Sequence, residues 1–185
     1  MGDYKIKPWE ELTIRDDYMF KLVMKRKHIC KKMLQSTLRI RIEKIRYLET
    51  EKSITAPYRS KGIRLDVYVK DERNTVYNIE MQIRRLEGDA LFKRTRYYQS
   101  MMDVDLLVAG ADYDELNKTI IIFICPFDPF GEGRYMYTFE NICLVDRIRA
   151  MLESEKPPAV RVAFFMRIVS ACGDFPECLC KFLAF

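Results

Sequence analysis

The chain has a single histidine, His28, and none of its six cysteines (Cys30, Cys125, Cys143, Cys172, Cys178 and Cys180) stands in a C-x₂-C pair. A zinc centre of the usual Cys/His type needs such ligands at short, regular spacing, so none is expected. The opening MGDYKIKPWEEL has no apolar stretch of the kind a secretory signal carries. The N-myristoylation pattern wants Ser or Thr at the sixth position, and Ile6 is there. No apolar run approaches the ~20 residues of a membrane helix. Internal repeats and low-complexity segments are also lacking. These absences predict a soluble cytoplasmic protein with free thiols and no membrane partner.

What remains is a chain of 185 residues, 49% hydrophobic and 12% aromatic, enough to bury the core of one compact domain. Its formal charge of +5 permits a polyanionic partner and serves solubility equally well.

The periodicity places a helical pattern after Asp16 and Asp17, with Phe20, Val23 and Met24 on one face. Cys30, Met33, Leu34 and Thr37 continue the stripe beyond a break at KRKH. The two acids suit a helix N-terminus. Residues 39–51, with Ile40, Ile42 and Ile45 among charges, read as a strand. Two further strands follow in GIRLDVYVKDERNTVYNIEMQ. A helix comes next, with Asp89 as its cap and Leu91, Thr95, Tyr98 and Met102 on one face, so that Lys93, Arg94 and Arg96 point mostly elsewhere. The apolar run Ile120–Cys125 fits a strand buried on both faces. The order helix, strand, strand, strand, helix, strand predicts an α/β domain with a mixed sheet. Residues 142–158 read as a helix ending at Pro157-Pro158, and the Cys- and Phe-rich sequence after it shows no clear polar face.

The hairpin at 62–82 fixes its own register. Ile63, Leu65, Val67 and Val69 face one way, and so do Tyr77, Ile79, Met81 and Ile83 on the second strand. A two-residue turn would set apolar against polar side chains. A three-residue loop, Glu72-Arg73-Asn74, matches the apolar faces and puts Asn74 at the left-handed position. That register sets Asp66 opposite Glu80 and Arg64 opposite Gln82. Like charges there destabilise a sheet. The offset is a protonated carboxylate, a neighbouring Arg64 or lysine, or a hard divalent cation shared by both groups. A solvated hairpin with both acids splayed into water is the competing reading.

Five segments, DDYMFK (16–21), GIRLDVYV (62–69), YNIEMQ (77–82), RTRYYQSMMD (94–103) and TIIIFICPFDPFGEGRYMYTFEN (119–141), resemble in order and spacing the transposase-associated branch of the PD-(D/E)XK nucleases, which includes the recombination-promoting nucleases. The resemblance covers about residues 10–141. It implies a restriction-endonuclease-like core of helix, three-strand antiparallel meander, helix and strand. It implies that Asp66 and Glu80 bind magnesium or manganese, with the Met81 carbonyl as a further ligand, and that Gln82 stands where most of the superfamily has a water-positioning lysine. Asp17 is implied to lie near the site, and Gln99 is an accessory candidate. Arg64, Arg84, Arg85, Arg94 and Arg96 are candidates for phosphate contact, as counterion release on DNA requires.

The expected function is therefore metal-dependent endonucleolytic cleavage of DNA, linked to transposition or recombination. The alternatives are a DNA-binding remnant that has lost cleavage, which Gln82 favours, and an interaction protein in which the two acids are surface charges. A homo-oligomer is compatible with the chain. The expected organisation is a nuclease-like domain over residues 1–141 and an atypical tail over 142–185, truncated or frame-shifted.

Overall fold

A computed structural model describes residues 7–55, 60–140 and 160–166. Among the described residues, three α-helices and six strands run in the order α1 (Asp17–Met24), α2 (Lys27–Leu38), β1 (Ile45–Ile54), β2 (Ile63–Asp71), β3 (Val76–Met81), α3 (Ala90–Leu106), β4 (Thr119–Cys125), β5 (Met136–Glu140) and β6 (Val160–Met166). The strands form one mixed sheet of order β1-β2-β3-β4-β6-β5. β1, β2 and β3 make the antiparallel meander; β3 and β6 both run parallel to β4, and β5 closes antiparallel on β6.

The sheet is covered on both sides, which is why β3 and β4 carry so little polar sequence. Every residue of each is buried. On one side Phe20, Met24, Met33 and Leu34 of α1 and α2 pack on Val69, Ile79 and Ile122. On the other, Leu91, Met101 and Met102 of α3 pack on Val76, Ile121 and Phe123. The break at KRKH is real: α1 ends at Met24 and α2 begins at Lys27. Asp16 occupies the N-cap position of α1 without capping it. Its carboxylate turns back to the Thr13 N–H at 2.8 Å and to Lys7. Asp89 likewise stands before α3 without a capping bond and pairs with Lys93.

The strand expected over 39–51 begins later. Arg39 ends α2 in the left-handed region at φ 52°, and β1 starts only at Ile45. Between them side chains satisfy the backbone: the Ile42 N–H donates to Gln35 and the Lys44 N–H to Glu72. The hairpin register is as expected, with Val69 opposite Tyr77 and Val67 opposite Ile79. Asn74 is left-handed at φ 63°. The buried Asp71 carboxylate locks the loop by accepting from the Arg73 and Thr75 N–H groups and the Tyr77 hydroxyl.

One expectation about β2 is corrected. Val67 and Val69 join the core under α1 and α2, whereas Ile63 and Leu65 join the core under α3. The apolar residues change layer on passing Asp66, just beyond Val67, where the regular pairing of β2 with β3 stops.

The expected helix over 142–158 lies outside the described residues. β6, from the segment expected to be a tail, is seated between β4 and β5. A chain stopped after Glu140 would lose β6, stranding β5 and exposing the fully buried β4 as an edge. Such a truncation is expected to aggregate on expression, and soluble yield against the full chain checks it.

Candidate active site

Regular pairing of β2 with β3 extends from Lys70 opposite Val76 to Val67 opposite Ile79. One step on, where the same register sets Asp66 opposite Glu80, side chains take over the ladder. The Asp66 N–H donates to Glu80 Oε1 at 3.0 Å, and the Met81 N–H donates to Asp66 Oδ2 at 3.1 Å. The strands part just enough to admit two carboxylates. Neither is splayed into water: Glu80 is 1% exposed and the Asp66 side chain 16%.

Burial raises the pKa of both acids. Glu80 is pushed up to about 7, first by burial and then by the facing Asp66. Two helices supply the offset. From α3, Arg94 Nη2 lies 3.0 Å from Glu80 Oε2. From α1, Lys21 Nζ lies 3.9 Å from Asp66 Oδ1. The pair is therefore clamped between two cations, one of them a neighbouring lysine, as one of the expected offsets had it; Arg64, another of those offsets, is exposed and 3.8 Å from Glu51 instead.

Arg94 does not point elsewhere, as its helix phase suggested. Its guanidinium also donates to Gln82 Oε1 and to the Tyr98 hydroxyl, and it lies over the Tyr98 and Phe123 rings. A long arginine on the flank of α3 reaches back over the sheet because a buried carboxylate needs it. Gln82 is buried and held at both ends, accepting from Arg94 and donating to the Arg84 carbonyl. Arg84 is exposed, and so is Arg85, which donates to the Asp128 carbonyl.

Two candidates fall away from this centre. Gln99 bonds Asp103 and Thr119. Thr119 begins β4, whereas Glu80 pairs with Phe123 four residues further along. At about 3.3 Å per residue, Gln99 sits roughly 13 Å down the strand. Arg96 is exposed, two residues and so about 200° around α3 from Arg94. Asp17, by contrast, is in place: its carboxylate accepts from Lys21 Nζ at 2.6 Å, and its charge helps to raise the pKa of Asp66.

The sequence reading missed two residues here. Lys21 is 7% exposed and also donates to Glu51 Oε1 at 3.0 Å. Burial opposes its charge, but the bonds to Asp17 and Glu51 outweigh that and raise its pKa. The signal was present: Lys21 lies four residues after Asp17 and beside the buried Phe20. Glu51 gave none. It stands on β1 between Thr50, paired with Val67, and Lys52, paired with Leu65, and so opposite Asp66. Its φ is 63°, in the left-handed region.

A helix, a three-strand meander, a helix and a parallel strand, with two facing acids where the second and third strands part, define a restriction-endonuclease-like fold. The chain belongs to the PD-(D/E)XK nuclease family transposases, a family that matches residues 14–153. No curated protein and no solved structure matches it.

Proposed function

We propose that the protein is a magnesium- or manganese-dependent endonuclease acting on DNA in transposition or recombination, with Asp66 and Glu80 holding the metal. The observation that carries this reading is the exchange of carboxylates across a parted hairpin, at a cost in repulsion and desolvation that a folding role does not need. The donor set fits a hard cation. Two carboxylates on adjoining strands suit magnesium, which binds through one or two carboxylates and keeps several waters. Among the described residues no three His, Cys, Asp or Glu side chains converge as a metal cluster. Backbone oxygen and water would complete the shell. The Met81 N–H faces β2, and the carbonyl of a strand residue points to the same side as its N–H, so Met81 suits the further ligand.

A bound cation would lower the pKa of a water and stabilise charge on the phosphate. The chain's own groups do the rest. Arg94 favours the ionised form of Glu80 against burial and the facing Asp66, and orients it. Gln82, fixed by Arg94 and the Arg84 carbonyl, keeps one amide N–H and one oxygen lone pair beyond those two bonds. The exposed Arg64, Arg84 and Arg85 serve flanking phosphates.

Nicking of supercoiled plasmid tests the reading. Cleavage is expected with magnesium or manganese and not with EDTA, falling about 10³-fold or more in Asp66→Ala and Glu80→Ala, as the loss of several kcal/mol requires. A folded protein that binds DNA in a salt-dependent way but never nicks would select the decayed remnant instead.

A further inference from the structure

We propose that Lys21 is the cation that meets the scissile phosphate and that Glu51 is the residue that positions it, an inference resting on the metal-nuclease reading above. Phosphoryl chemistry calls for positive charge beside the metal. The cations around Asp66 and Glu80 can be sorted by what already holds them. The Arg94 guanidinium is shared among Glu80, Gln82 and Tyr98. Gln82 is neutral and held at both ends. The Arg64 side chain is 63% exposed, and its nearest acid, Glu51, is 3.8 Å away.

Lys21 differs from all of these. It is buried, yet its ammonium lies 3.9 Å from Asp66 Oδ1, within ion-pair range but beyond a hydrogen bond. Of its three N–H groups, two serve Asp17 and Glu51. The third is in place for an oxygen carried beside Asp66. It enters from α1, which packs on the opposite side of the sheet from α3 and its Arg94, so a phosphate at the carboxylate pair would meet one cation from each helix.

The case for Glu51 is its backbone. Left-handed φ is costly for any residue but glycine, and here it falls inside a strand at the one position facing Asp66. Residues held in such conformations cluster where geometry serves function. This backbone accompanies a carboxylate 3.0 Å from Lys21, the contact that with Asp17 fixes the ammonium on two sides.

The test uses the full chain with Lys21→Met, Lys21→Arg, Glu51→Gln and Glu51→Gly. DNA affinity is measured against salt with calcium in place of magnesium, beside nicking and melting temperature. Lys21→Met is expected to lower nicking about 100-fold and to reduce the slope of log affinity on log salt by about 0.9, one phosphate contact, while Lys21→Arg keeps the slope. Glu51→Gly relieves the backbone, so it is expected to hold or raise the melting temperature while nicking falls about tenfold, and Glu51→Gln is expected to match that fall. A purely structural residue would not separate the two readouts. A folded Lys21→Met with wild-type slope and rate overturns the proposal, and wild-type nicking in Glu51→Gly overturns the part played by Glu51. If the wild type never nicks, the nuclease reading fails by itself, and the slope in Lys21→Met still decides whether Lys21 meets a phosphate.

Discussion

Arg94→Met is expected to destabilise the metal-free protein at pH 8 by about 3 kcal/mol, as breaking a buried pair does when one charge is left behind. Glu80 would remain beneath α3, 1% exposed, facing Asp66 with no guanidinium beside it. For a chain of this size the melting temperature should fall by roughly 6–12 °C. The deficit has a pH signature. Removing Arg94 raises the Glu80 pKa beyond about 7, so between its ordinary value of 4.5 and that raised value the folded state holds a proton that the unfolded chain has released. The penalty is then largest above the folded value and shrinks as pH falls toward 5. Adding Glu80→Gln to Arg94→Met should recover most of the loss at pH 8. A single variant as stable as wild type at pH 8 would mean that the guanidinium is not what accommodates the buried acid.

Asp66→Asn is expected to have the opposite effect on stability and a larger one on activity. The amide oxygen can still accept the Met81 N–H, and the position facing Lys21 is at 3.9 Å, too long for a hydrogen bond to be lost. What disappears is a negative charge facing Glu80. Both acids have raised folded-state pKa values. Their contribution to stability therefore falls as pH rises from the unfolded value, about 4.5 for Glu80, through the folded value of about 7. Glu80 alone accounts for about 3 kcal/mol of that at full ionisation, since one pKa step is worth about 1.4 kcal/mol. Removing the facing charge recovers part of this, about 1–2 kcal/mol at pH 8 in EDTA, or roughly 2–8 °C in melting temperature, and little at pH 4.5. The same variant should show no stabilisation by magnesium, whereas a ligand at 100 times its dissociation constant stabilises the wild type by about 2.7 kcal/mol. Thermal melting with and without metal, at both pH values, checks both halves.

These expectations show how far the sequence could be read. The hairpin was legible because turn chemistry and period-2 alternation agree on one register, and that register sets Asp66 against Glu80. The buried β4 was legible from its unbroken apolar run. What eluded pattern reading was tertiary in origin. Arg94 looked solvent-facing by helix phase, because phase describes Cβ direction and not where a long side chain ends. Lys21 was hidden in a motif noticed for its acids. Glu51 could not be found, since no residue preference marks a left-handed glutamate inside a strand. β6 was not anticipated because VRVAFFM, followed by Cys- and Phe-rich sequence, alternates only over its first three residues, too few to show where it pairs.

The central claim is that Asp66 and Glu80 face each other in order to share a divalent cation. Calorimetric titration of manganese into the purified protein at pH 7, in buffers of different ionisation enthalpy, tests it directly. One cation is expected to bind with release of a fraction of a proton, because Glu80 is partly protonated at that pH. Binding should vanish in both Asp66→Asn and Glu80→Gln. A folded wild type that binds no manganese, or binding that survives either substitution unchanged, would contradict it.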